Sequence, residues 1–118
     1  MYIQLIITSK NQELLFWLLR LRQRFCVTGA SMFPLLKAGE EVLVDTRAYR
    51  RRLPEIGDLV VAKHPYRHNL KIIKRVVLVD KNGNCFLLGE NKAESNDSRY
   101  FGFITLHHII GKVTSKFP

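Results

Sequence analysis

The sequence predicts a mainly β fold: a compact antiparallel sheet of partial-barrel type with one N-terminal helix. Three observations carry this reading. After residue 40 the chain is a succession of short runs rich in Val, Ile, Leu and Phe, separated by Gly, Pro and Asn. Asn82-Gly83 stands between two of these runs and suits a tight hairpin. A helical pattern covers only residues 10–24.

The elements follow in order. Met1 to Ile7 is apolar and reads as a strand. Residues 10–24 read as an amphipathic helix with a basic exit at Arg20, Arg22 and Arg24. Its uncharged run, Leu14 to Leu19, is far below the roughly 20 residues a membrane span needs. Neither a transmembrane span nor a cleavable leader is expected. The helix is expected to pack on the core, the alternative being peripheral contact with a membrane surface. Glu41–Asp45 is a strand after a turn at Gly39, and Asp58–Lys63 is another, bounded by Gly57 and His64-Pro65. Leu70–Asp80 is the longest. Lys81-Asn82-Gly83-Asn84 predicts a type I′ turn into Cys85–Leu88. A polar loop runs from Gly89 to Arg99, and the last strand from Phe103 to about Val113.

Length and composition bound the function. The 118 residues suit one domain, with 1–26 as an N-terminal strand and helix and 27–113 as the main body. Hydrophobic residues at 47% and charged residues at 25% are ordinary for a globular protein. Net charge is +9, with a knot at Arg47, Arg50, Arg51 and Arg52. Such a knot suits phosphates or an anionic surface, but Pro54 and Gly57 make it a solvated turn. Without zinc-finger spacing or an aromatic-rich basic motif, nucleic acid is not the expected partner. Cys26 and Cys85 lack metal-ligand spacing and read as reduced, buried thiols of a cytoplasmic protein. His64 and His68 are four apart, but Pro65 breaks the helix that would align them. His107 and His108 on a strand would face opposite ways. No metal and no cofactor are expected.

The chemistry centres on Lys74. In the long strand Ile72, Lys74 and Val76 share one face, while Ile73, Arg75 and Val77 share the other. Arg75 cannot lose its proton and needs an anion or water, with Asp97 and Glu90 as candidate partners. A lysine can lose its proton, and burial favours the neutral, basic form. Moving a lysine from about 10.4 to about 7–8 corresponds to about 4 kcal/mol, which an apolar strand face can supply. On an edge strand the same side chain would simply reach water. A base needs a nucleophile, and Ser31 in Gly29-Ala30-Ser31-Met32-Phe33-Pro34 offers one.

Four segments then line up: Gly29 to Leu36 with Gly39 to Val44, Gly57 to Val61, Lys74-Arg75-Val76, and Gly89 to Arg99. In order, they resemble the boxes of the signal peptidase I family of serine proteases. The resemblance implies a Ser–Lys dyad with Ser31 as nucleophile and Lys74 as general base. It further implies that Ser95 orients Lys74, that Asp97 and Arg99 form a structural pair, and that Arg75 is the arginine beside the base. The implied fold is the signal-peptidase-like β fold, and the implied substrate is a precursor protein with an N-terminal leader.

Departures from the family pattern are informative. Gly29 stands where some members carry a hydroxyl that contributes to the oxyanion hole, leaving a backbone donor such as the Ser31 N–H. Glu90 and Lys92 stand where the family often has Asp and Arg. Leu78-Val79-Asp80 replaces the usual Gly-Leu-Pro-Gly-Asp continuation. The family's membrane anchor and large inserted second domain are not expected here. Ala62-Lys63-His64-Pro65 and Asn96 to Gly102 resemble the nickel-type superoxide dismutase maturation proteases, which implies that dismutase precursor as substrate. Other readings are general signal-peptidase-like leader cleavage and a self-cleaving regulator related to the SOS-response repressors. A Ser-His-Asp triad through His64 or His107 is disfavoured, since each reads as a structural or surface histidine.

Overall fold

The computed structural model describes residues 9–67, 69–91 and 96–117. The strand expected at Met1–Ile7 lies outside the described residues. The helix α1 spans Ser9–Leu18 and stops well short of residue 24. Arg20 takes a left-handed conformation, φ 63°. The Arg20 and Leu21 N–H groups donate back to the Trp17 and Phe16 carbonyls, at 2.9 and 2.7 Å. These bonds satisfy the helix end and turn the chain sharply. The expected basic helix exit is instead strand β1, Gln23–Cys26, because pairing with a neighbouring strand outweighs a weak local helical preference.

Among the described residues six strands, all antiparallel, form one open sheet, ordered β1-β2-β6-β3-β4-β5. The others are β2 (Glu41–Asp45), β3 (Leu59–Lys63), β4 (Lys71–Val79), β5 (Cys85–Leu88) and β6 (Ile109–Lys116). The mainly β, antiparallel expectation holds. The β4–β5 turn differs from expectation, for Gly83 has φ 86° while Asn82 is not left-handed. A type I′ turn requires both. Here the Gly83 N–H donates to the Asp80 carbonyl at 3.1 Å, and Asp80 Oδ1 accepts from the Asn82 and Asn84 N–H groups. The aspartate side chain holds a three-residue loop that closes on the glycine. Two further differences follow from local hydrogen bonding. The 89–99 loop leads into a short helix, α2 (Ser98–Phe101), N-capped by Asp97. His107 and His108 lie in a 3-10 turn, Leu106–His108, not on a strand.

Alternation along the strands places a core on each face of the sheet. Val60, Ala62, Val76, Leu87 and Ile104 form one cluster; Val27, Met32, Leu36, Val42, Val44 and Val61 form the other. Each fully buried Val, Leu, Ile or Met among them contributes about 1.5–3 kcal/mol. By contrast α1 buries nothing between Gln12 and Leu18. It is held by Arg22 donating to Glu13 (3.1 Å), by Trp17 edge-on to Phe117 (4.9 Å), and by Arg24 over the Phe117 ring (4.2 Å). The expectation that it packs on the core is corrected: rings and charges fasten it beside the sheet and leave Leu18 and Leu19 exposed. No helix among the described residues is long and apolar enough to cross a membrane.

Candidate active site

Lys74 lies in the middle of β4, which has β3 on one side and β5 on the other. It stands opposite Val60 and is only 3% exposed. The edge-strand alternative therefore fails. The neighbouring Ile73 packs into the opposite core, as alternation requires.

Ser31 sits in the loop that joins β1 to β2. Its base is closed by Val27, whose N–H donates to Glu40 and whose carbonyl accepts from Gly39 (2.7 and 2.9 Å). Met32 and Leu36, each 2% exposed, sink into the core on either side of the exposed Phe33-Pro34-Leu35. Burial of Met32 thus fixes a half-exposed Ser31 next to it. Ser31 and Lys74 line the same cavity, about 140 Å³, whose other walls include Phe25, Thr28, Val61 and Ile73.

The end of β5 clamps this loop. A Cβ at Gly89 would lie 2.8 Å from the Ser31 carbonyl oxygen and 3.4 Å from its Cβ, so only glycine fits there without displacement. The Asn91 N–H donates to the Ser31 carbonyl at 2.7 Å, and its Nδ2 to the Ala30 carbonyl at 2.9 Å. Sequence reasoning missed Asn91; the signal was an amide side chain just past a strand end, where loop carbonyls need donors.

Asp97 anchors the clamp. It is fully buried, and its Oδ2 accepts from the Gly89 N–H (3.0 Å) and from Arg99 Nη2 (2.9 Å). Burial pushes its carboxyl up, but bonds from Arg99 and Gly89 more than offset this and hold it below the usual range. Ser98 Oγ accepts from the Leu87 N–H at 2.8 Å. The Leu87 and Gly89 N–H bonds to Ser98 and Asp97 join α2 to β5 and its end beside Ser31, while the Asp97–Arg99 ion pair braces α2 itself. Arg75 pairs with Glu90 at 2.6 Å and donates to the Gly57 carbonyl at 2.7 Å. Of its two candidate partners, Glu90 is the one it meets, since Asp97 is taken by Arg99. Ser95 and Lys92 lie outside the described residues.

Other candidates are placed elsewhere. His64 Nδ1 accepts the Tyr66 and Arg67 N–H groups (3.1 and 3.2 Å), which fixes it as a turn-holding histidine away from the Ser31 cavity. His108 Nδ1 is 2.9 Å from Thr105 Oγ1. Cys85 is buried, which raises its thiol to about 11 and makes it inert. Cys26 is exposed and lines the cavity, correcting the expectation of a buried thiol. On edge strand β1, Phe25 takes the core side and alternation turns Cys26 away. Gly29 has φ 74°, with open space where a Cβ would stand. Backbone conformation, not crowding, disfavours a hydroxyl residue there.

The sequence pattern of "Signal peptidase, peptidase S26" matches residues 3–80 and 78–117. The chain belongs to this signal peptidase family. That membership supports a serine endopeptidase. The family includes relatives of varied setting. "Probable signal peptidase I-1" of Synechocystis sp. is 24% identical over 77% of this chain and 68% of its own length. "Thylakoidal processing peptidase 1, chloroplastic" of Arabidopsis thaliana is 24% identical over 73% of this chain and 39% of its own. "Mitochondrial ATP-independent inner membrane protease subunit 1b" of Arabidopsis thaliana is 31% identical over 72% of this chain and 63% of its own. The chain therefore spans less than two thirds of the length of the latter two.

Proposed function

We propose that this signal peptidase family member removes an N-terminal leader from a precursor protein through a Ser31–Lys74 dyad. The observation that carries the reading is the burial of Lys74 in the cavity it shares with Ser31. An enclosed, mainly aliphatic setting disfavours the ammonium form, and a neutral Lys74 Nζ takes the Ser31 hydroxyl proton. Ser31 Oγ then forms a bond to the scissile carbonyl carbon. As the tetrahedral intermediate collapses, the C–N bond breaks and the proton passes from Lys74 to the departing amine. Water, deprotonated by the same lysine, hydrolyses the acyl-enzyme and frees the leader's C-terminus. Ser95 is the assigned orienting hydroxyl. The Ser31 N–H is the assigned oxyanion donor, consistent with a Gly29 that carries no hydroxyl.

The substrate in this reading is the nickel-type superoxide dismutase precursor, supported by the resemblance of residues 62–65 and 96–102 to that maturation subgroup. Purified protein is incubated with that precursor and with a general secretory precursor, and the new N-termini are read by mass spectrometry. Cleavage of the dismutase precursor, absent with Ser31→Ala, is the expected result. Cleavage of only the secretory precursor removes the subgroup reading and leaves the leader peptidase; cleavage of neither removes both.

A further inference from the structure

We propose that the substrate groove continues beyond the Ser31 cavity along the start of β4 and there selects acidic side chains of the substrate, through Lys63, Arg67 and Lys71. This rests on Ser31 and Lys74 being the cleavage centre. A second cavity of about 290 Å³ adjoins the first, and Leu70 and Lys71 line both. β5 ends at Leu88, opposite Arg75, so no described strand flanks Lys71–Ile73 on the side away from β3. An extended peptide leaving the Ser31 cavity along that side passes Lys71 and enters the second cavity.

The charge there is of one sign. Lys63, Arg67 and Lys71 are exposed, and none joins an ion pair among the described residues. Among the described residues neither cavity is lined by a carboxylate. Six other cations, Arg22, Arg24, Arg75, Arg99, Lys112 and Lys116, each meet an Asp or Glu. The arginine knot is less suited, because Asp45 lies among its own lining residues. Lys71 Nζ lies 5.4 Å from the Phe25 ring centroid, which sets it across the mouth of the Ser31 cavity between β4 and β1. A carboxylate beside three such cations gains attraction that uncharged side chains lack, and salt weakens it.

The test uses binding, so it does not depend on turnover. Two rhodamine-labelled, alanine-rich peptides are compared on the Ser31→Ala protein by fluorescence anisotropy, one with three glutamates and one with glutamines in their place. The glutamate peptide is expected to bind about tenfold tighter at low salt, the scale of three exposed charge pairs. Combined Lys63→Ala, Arg67→Ala and Lys71→Ala removes the preference, whereas Arg50→Ala with Arg51→Ala keeps it. Amide shifts on titration centre on residues 63–73. Equal affinity for the two peptides overturns the proposal, as does a preference that survives the triple substitution, is lost in the arginine-knot variant, or maps to residues 47–52. If wild-type protein cleaves no precursor while the preference holds, the cleavage reading has failed and the acidic selectivity of the groove has not.

Discussion

Lys74 and Arg75 are adjacent cations on one strand, and the molecule treats them oppositely. Lys74 faces Val60 and is 3% exposed; the Arg75 side chain is 33% exposed, with Glu90 and the Gly57 carbonyl against it. The pleat alone separates them, since successive side chains leave a strand on opposite faces. Chemistry then decides which cation suits which face. A guanidinium keeps its proton and belongs where anions and water can meet it; an amine can give its proton up and can occupy the enclosed face. The pair teaches that a charge in an apolar strand is informative only together with the face it takes.

The largest expected effect comes from breaking that division. Lys74→Arg leaves a cation that cannot act as a base, so proteolysis should fall at least about 10³-fold, roughly 4 kcal/mol, as with Lys74→Ala and Ser31→Ala. Circular dichroism and melting should show each variant folded. The comparison is sharpened by pH: wild-type activity should rise through the alkaline side of the unperturbed histidine value of about 6.5. That limb should survive in His64→Ala, His68→Ala, His107→Ala and His108→Ala. A histidine variant that removes both limb and activity would sink the lysine assignment.

Asp97 tests a buried charge of the opposite sign, held against Arg99. Asp97→Asn should destabilise the fold by about 1.5–3 kcal/mol in denaturant titrations, because charge-assisted bonds to Arg99 and Gly89 are lost. Its folded-state value is depressed, so its contribution is complete above the unfolded value of about 3.9. The contribution is lost as pH falls through the folded value. The stability gap between wild type and Asp97→Asn should accordingly be constant near neutrality and close below about pH 4.

Gly89→Ala probes the link between the two faces and the nucleophile. The new Cβ meets the Ser31 carbonyl, so the loop must move. Turnover should drop by about 10–100-fold, roughly 1.4–2.7 kcal/mol, mainly in kcat. An unchanged kcat would show that the Ser31 loop is not held by this contact. Glu90→Gln should have the smallest effect, under about 1 kcal/mol in stability, since Arg75 and Glu90 are partly solvated. A large loss would mean that the exposed cation matters as much as the enclosed one.

The sequence by itself determined the local parts. Alternation placed Lys74 and Arg75 on opposite faces, and apolar runs bounded by Gly, Pro and Asn located β2, β3, β4 and β5 nearly to the residue. Ordered boxes singled out Ser31 and Lys74 because both the residue types and their spacing are local signals. Only the tertiary structure decided the rest. Sheet order is set by pairings distant in sequence, so β1 replaced the end of a predicted helix once Gln23–Cys26 met Glu41–Val44. The turn at Gly83 depended on which backbone groups the Asp80 side chain could reach. Arg75's choice of Glu90 depended on Asp97 being occupied by Arg99. The contacts of Gly89 and Asn91 with the Ser31 loop bridge some sixty residues of chain. No local pattern encodes such contacts, because they exist only when burial of Met32, Val60 and Leu87 brings distant segments together.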